Sequence, residues 1–220
     1  WLSLIVMLVC GALVLRGQRT QAVPMLPVDL MRRPMFSLSV FTAFCSFTTQ
    51  GLAFVALPFF LQQQLGREAI DTGLLMTTWS IVVALSAPLA GPLSDRRPPA
   101  LLGGIGLALL SLGMLLLSLR SASDPLWLMA VCIALCGMGF GLFQSPNLRA
   151  IMSSAPAHRA SGASGMVALA RLTGQACGAA LVALCFNWAA GAGPGYAMTL
   201  GALTAGVGAA LSLARLRVRA

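Results

Sequence analysis

Arg171 is the charged residue whose position most constrains what this 220-residue chain can do. It lies about ten residues into an apolar stretch that starts near Ser161, or roughly 15 Å deep at 1.5 Å per helical residue. An arginine at mid-bilayer costs about 2.5–3.5 kcal/mol on insertion scales, so it faces a protein interior or wet cavity, or snorkels to the headgroups through its stem. Both readings of Arg171 stand on the sequence alone. Gln175 is one turn further along the same face. Ser46 and Gln50 at i, i+4, Thr77 with Trp79, and the cluster Phe143, Gln144 and Asn147 also fall within apolar stretches. Hydroxyls and amides at such depth bond either a neighbouring helix or a solute. The faces of Trp79 and Phe143 can hold an organic cation or fill a core.

Other chemistry is poorly supplied. None of the five acids lies within an apolar stretch, and the single histidine, His158, stands beside Arg159 in a loop as a solvated residue. The cysteines at 10, 45, 132, 136, 177 and 185 all fall in apolar stretches, as small free thiols do. Cys132 and Cys136 share a helix face, yet no nearby His or carboxylate completes a metal site, so neither metal nor cofactor is expected. Gly103, Gly104 and Gly106 follow no strand and precede no Lys, which excludes a phosphate-binding loop. With no cluster of His, Asp or Glu and no Ser–His pair, the chain reads as a non-enzyme. The most specific polar string is Gly91-Pro92-Leu93-Ser94-Asp95-Arg96-Arg97. Asp95 can pair with an arginine there and sits ahead of a helix starting near Ala100, whose dipole favours an anion.

The elements that position these residues are apolar stretches at 1–15, 36–61, 73–92, 100–119, 126–147, 162–187 and 195–214. About 20 apolar helical residues cross a hydrocarbon core of about 30 Å, and six of the stretches reach that length. Hydrophobic residues make up 58% of the chain and charged residues 9%; a soluble domain carries about 25% charged. The fold class is therefore all-α, a polytopic membrane helical bundle. The net charge of +9 could suggest nucleic acid, but its distribution argues against that partner. Arg16, Arg19, Arg32, Arg33, Arg96, Arg97, Arg149, Arg159, Arg215, Arg217 and Arg219 occupy alternate loops, whereas the other loops hold only Arg67 and Arg120 among acids. The positive-inside rule makes the rich side cytoplasmic, with the carboxyl terminus on it, in an integral, multi-pass membrane protein.

Trp1 opens inside an apolar run, so residues 1–15 read as the end of a helix in a longer protein. Residues 16–35 form a linker in which Pro24 and Pro27 forbid a regular helix. Within it, 28–33 reads as an interfacial segment with Leu30 and Met31 toward lipid. Residues 36–214 form one six-helix bundle with loops of roughly 7–15 residues, and 215–220 a basic cytoplasmic tail. Gly137 with Gly141, and Gly174 with Gly178, are spaced for close helix packing.

The string Gly91-x-Leu93-x-Asp95-Arg96 between two helices resembles the signature of the major facilitator superfamily. Leu57-Pro58-Phe59-Phe60-Leu61-Gln62 with Leu65-Gly66, the ladder Gly137, Gly139, Gly141 closing in Pro146-Asn147, and Ala163-Ser164-Gly165 before Arg171 resemble its fourteen-helix drug:proton antiporters. Pro98 and Pro99 depart from the basic continuation of the signature, so this copy is degenerate. The resemblance implies the second six-helix half of a transporter, preceded by the end of one of two helices between bundles. Its implied activity is proton-coupled efflux of hydrophobic or cationic drugs by alternating access, with an exporter of a specific metabolite or a non-transporting scaffold or sensor as alternatives. It further implies that Gly91, Asp95 and Arg96 form a conformational switch; Ser46, Gln50, Trp79, Phe143, Gln144, Asn147, Arg171 and Gln175 are cavity candidates on their own chemistry and depth, with helix–helix bonding or core packing as the other use of each. Implied partners are membrane lipids, a small hydrophobic or cationic substrate and an N-terminal bundle that supplies the proton-carrying acids.

Overall fold

A computed structural model describes residues 29–189 and 191–217. Residues 1–15, most of the linker, Cys10 and Arg219 lie outside the described residues. Six helices follow: α1 Pro34–Phe59, α2 Ala69–Arg96, α3 Pro99–Ser118, α4 Leu126–Ser154, α5 Ala160–Trp188 and α6 Gly193–Ala214. All six are long and apolar enough to cross a membrane. Pro34, Pro99 and Pro194 stand in the first turns of α1, α3 and α6, where a missing N–H leaves no bond unmade.

The helices outrun the apolar stretches that predict them. α2 continues to Arg96 and α4 to Ser154, because polar residues there can remain helical where headgroups and water solvate them. Gly91 to Arg96 is therefore the end of α2 and not a loop, and the expected loops of 7–15 residues shrink to two residues between α2 and α3. The interfacial segment is also corrected. Leu30–Arg32 is a single 3₁₀ turn that buries Leu30 to 2% exposure in the protein core, so Leu30 does not face lipid. At the far end of α1, Pro58 breaks the regular ladder and a π-helical turn, Phe60–Gln64, follows it.

Helices adjacent in sequence are mostly not neighbours in space. The extensive contacts run α2–α4–α3–α6–α1–α5, and α1 also touches α4 across the bundle. Small residues set these seams. A Cβ on Gly51 of α1 would lie 2.5 Å from the Gln175 carbonyl of α5, so the two backbones pack closer than any side chain allows. Gly174 meets the Phe44 carbonyl across the same seam, as Gly178 does that of Thr48; Gly137 and Gly141 of α4 meet Trp79 and Ser86 of α2. In α1 67% of the most apolar window is buried, but in α2 and α5, which end the chain of contacts, only 22%.

Polar contacts sort the two ends. Arg149 of α4 pairs with Asp95 of α2, Arg159 with Asp29 at 2.8 Å, and Arg33 donates to the Ser154 carbonyl at 3.2 Å, all at one arginine-rich end. At the other end Arg67 donates to the Ala122 carbonyl at 3.1 Å and Gln64 to the Gly191 carbonyl at 2.7 Å.

Candidate functional site

A cavity of about 230 Å³ opens where α5 leans against α1 and α4. Phe47 of α1 and Phe143 of α4 form its apolar wall, Gln144 and Arg171 its polar one, and Ser164 and Val167 its rim on α5. α5 brings Ser164 and Arg171 to the cavity because they are two turns apart on one face. Arg171 is exposed there, and Gln144 also. Among the described residues Arg171 has no ion-pair partner: the three pairs use Asp29, Asp95 and Asp124. Glu68 and Asp71 belong to the other end, at the start of α2. The site thus combines a small apolar chamber with one unneutralised cation and an amide, set near the middle of α5.

The remaining candidates fall elsewhere. Gln175 donates to Gln50 at 2.9 Å, joining α5 to α1 next to the glycine seam. Trp79 is 3% exposed and lies between Phe54 and Phe140, with ring centroids at 5.6 and 6.4 Å, so its face packs on other rings and is closed to a solute in this conformation. Ser46 is fully buried, with no hydrogen-bond partner for its hydroxyl. Asn147 touches the cavity, yet its amide is engaged inward: Nδ2 donates to the Ser39 carbonyl at 3.2 Å and Oδ1 accepts from Arg215 at 2.8 Å. Asp95 does not cap α3, whose preceding residue is Pro98; it reaches across to Arg149 instead. No atom stands within 4 Å of a Cβ placed on Gly91, so that residue makes no close helix approach among the described residues.

Sequence reasoning missed a second polar centre. Arg215, assigned to the tail, is 1% exposed inside the bundle. Its Nη1 donates to Ser39 Oγ at 2.9 Å and Asn147 Oδ1 at 2.8 Å, and its Nη2 to Ser212 Oγ at 2.5 Å. Ser212 in turn donates to the Ala100 carbonyl at 2.9 Å, so α1, α3, α4 and α6 meet on one guanidinium. A Cβ on Gly103 would crowd Ser212 Oγ at 2.9 Å and Arg215 Nη2 at 3.2 Å, which is why α3 carries glycine there. The available signal was Ser212 three residues before Arg215, one helical turn, which puts a hydroxyl under the arginine.

Comparison with known proteins gives the frame for these features. The family model of the Major Facilitator Superfamily matches residues 1–178 and 39–219. The uncharacterized transporter YebQ of Escherichia coli is 47% identical over 214 residues, which cover 96% of this chain and 46% of that protein. The multidrug resistance protein Stp of Mycobacterium tuberculosis is 33% identical over 170 residues, 75% of this chain and 30% of its own length. The riboflavin transporter RibZ of Clostridioides difficile is 31% identical over 112 residues, 51% of this chain and 24% of its own length. The chain spans less than half the length of each of these relatives. Its six membrane-length helices make it an integral, multi-pass membrane protein, and with the match to the family model over most of its residues, the chain belongs to the Major Facilitator Superfamily of transporters.

Proposed function

We propose that this bundle is the second half of a secondary exporter that moves hydrophobic compounds, drugs among them, outward by alternating access in exchange for protons that enter down their gradient, as in the fourteen-helix antiporters. The observation that carries the reading is the chamber between α1, α4 and α5 with Arg171 and Gln144 exposed in it. α2 and α5, the least buried helices, flank that face and leave it free for a companion bundle. Arg171 then binds solute or water in the chamber, and Gln50 with Gln175 continue the polar track. The chamber's own charge suits neutral or acceptor-bearing compounds. A cationic drug needs its counter-charge, and the pump its proton-carrying carboxylate, from the companion bundle. The Asp95–Arg149 pair, with Arg96 beside it, braces the ends of α2 and α4 in one access state and releases in the other, while Gly91 leaves the adjacent flank of α2 open to the companion bundle.

The arginine-rich end faces the cytoplasm of a bacterial inner membrane, with the carboxyl terminus on the same side. Relatives named for multidrug resistance support the drug reading, and a riboflavin transporter among them supports a second one, export of a single metabolite. The test is efflux of a fluorescent hydrophobic dye from cells expressing the full-length gene product, with and without an uncoupler. Uncoupler-sensitive efflux abolished by Arg171→Ala supports the proposal. Efflux indifferent to both would remove this chamber from the mechanism, and absence of dye efflux would favour the single-metabolite reading.

A further inference from the structure

We propose that the arginine-rich end of this bundle holds the phosphodiester headgroup of an anionic phospholipid, in a cavity roofed by Arg215 and rimmed by Arg33. The argument begins with charge. Arg215 is 1% exposed, and its partners, the Ser39 and Ser212 hydroxyls and the Asn147 amide, are all neutral. Among the described residues no carboxylate balances it: Asp29, Asp95 and Asp124 are paired elsewhere, and Glu68 and Asp71 stand at the start of α2, at the opposite end. A guanidinium withdrawn from water without a counter-charge is an expensive arrangement, and an anion beside it lowers that cost.

The second observation is space. A cavity of about 750 Å³ lies against Arg215, between the starts of α1 and α3 and the ends of α4 and α6. Its walls include Pro34, Met35, Pro99 and Leu216, which are apolar, and its other cation is Arg33. Arg33 is held at the rim by its bond to the Ser154 carbonyl at 3.2 Å. Four of the guanidinium's five N–H groups are already engaged, counting Nε toward the Ser212 carbonyl at 3.4 Å, and one on Nη2 is left. Helix ends mark the depth of the headgroups, where a phosphate meets the exposed Arg33 guanidinium with the buried Arg215 charge behind it, and the first acyl carbons meet proline and methionine. A soluble phosphate would use the same cations but would leave the apolar walls bare, so the lipid is the occupant we assign.

The experiment is native mass spectrometry of the purified full-length gene product with phosphatidylglycerol, phosphatidylcholine or inorganic phosphate added. Retention of phosphatidylglycerol over phosphatidylcholine is expected. Arg33→Gln should lower that retention about fivefold, the factor for one arginine at a lipid surface. Arg32→Gln, an exposed neighbour outside the cavity, should leave it unchanged. Equal retention of both lipids, equal loss in the two variants, or protection by inorganic phosphate alone would each overturn the assignment. The readout is binding, so it stands or falls apart from the transport reading.

Discussion

Arg215 and Arg171 show two ways an arginine is tolerated in a helical bundle. Arg215 is enclosed and bonded on three sides, and its removal leaves Asn147 Oδ1 without a donor, while Ser39 Oγ and Ser212 Oγ keep the bonds they donate to the Met35 and Ala100 carbonyls. One buried acceptor left unpaired costs about 1–3 kcal/mol, so Arg215→Leu should lower the melting temperature of the detergent-purified protein. Arg215→Lys should not restore it, because one ammonium cannot span the acceptors that a planar fork reaches. Arg171→Gln should leave melting nearly unchanged, since among the described residues no ion pair depends on it. The Asp95–Arg149 pair is exposed on both sides, 66% and 49%, and such pairs contribute about 0–1 kcal/mol. Asp95→Asn should therefore shift stability little; a large drop in melting temperature would give the pair a structural role instead. Depth along the chain made Arg171 legible in sequence. Arg215 was not, because its partners at 39 and 147 are remote in the chain and only the packing of four helices brings them together.

At the scale of helices, apolar length revealed all six elements, while their ends were hidden. Polar residues beyond the hydrocarbon boundary can stay helical, so Asp95 moved from a predicted loop into the last turn of α2. Seams were half legible. Glycine spacing at 174 and 178 marks a close approach, but only the structure says that α1 is the partner and that Gly51 answers from the other side. Gly178→Ala should destabilise by about 1–3 kcal/mol through overpacking of that seam. Gly165→Ala, with open space around its Cβ, should change stability by about 1 kcal/mol or less and in the favourable direction. Thermal unfolding of the two variants side by side checks the contrast.

For the whole molecule, the open face predicts water where a hydropathy plot shows only lipid. In a cysteine-free background, Gln144→Cys should react with a membrane-impermeant maleimide in at least one access state. Leu203→Cys, 65% exposed on the outer side of α6, should not. Labelling of both, or of neither, would place the boundary between cavity and lipid elsewhere. The order of contacts, α2–α4–α3–α6–α1–α5, also has a meaning in time. Of these six helices α1 leaves the ribosome first, but its extensive seams close only when α5 and α6 arrive. At about 5–20 residues per second the roughly 130 residues between the end of α1 and the start of α6 take on the order of 7–27 s to make. During that interval the buried hydroxyls of Ser39, Thr42 and Thr49 and the bare flank at Gly51 stand in lipid or in the insertion machinery. Biogenesis of this bundle is then a matter of sheltering an unfinished first helix until the last two arrive, and slowed elongation before α6 would prolong that exposure.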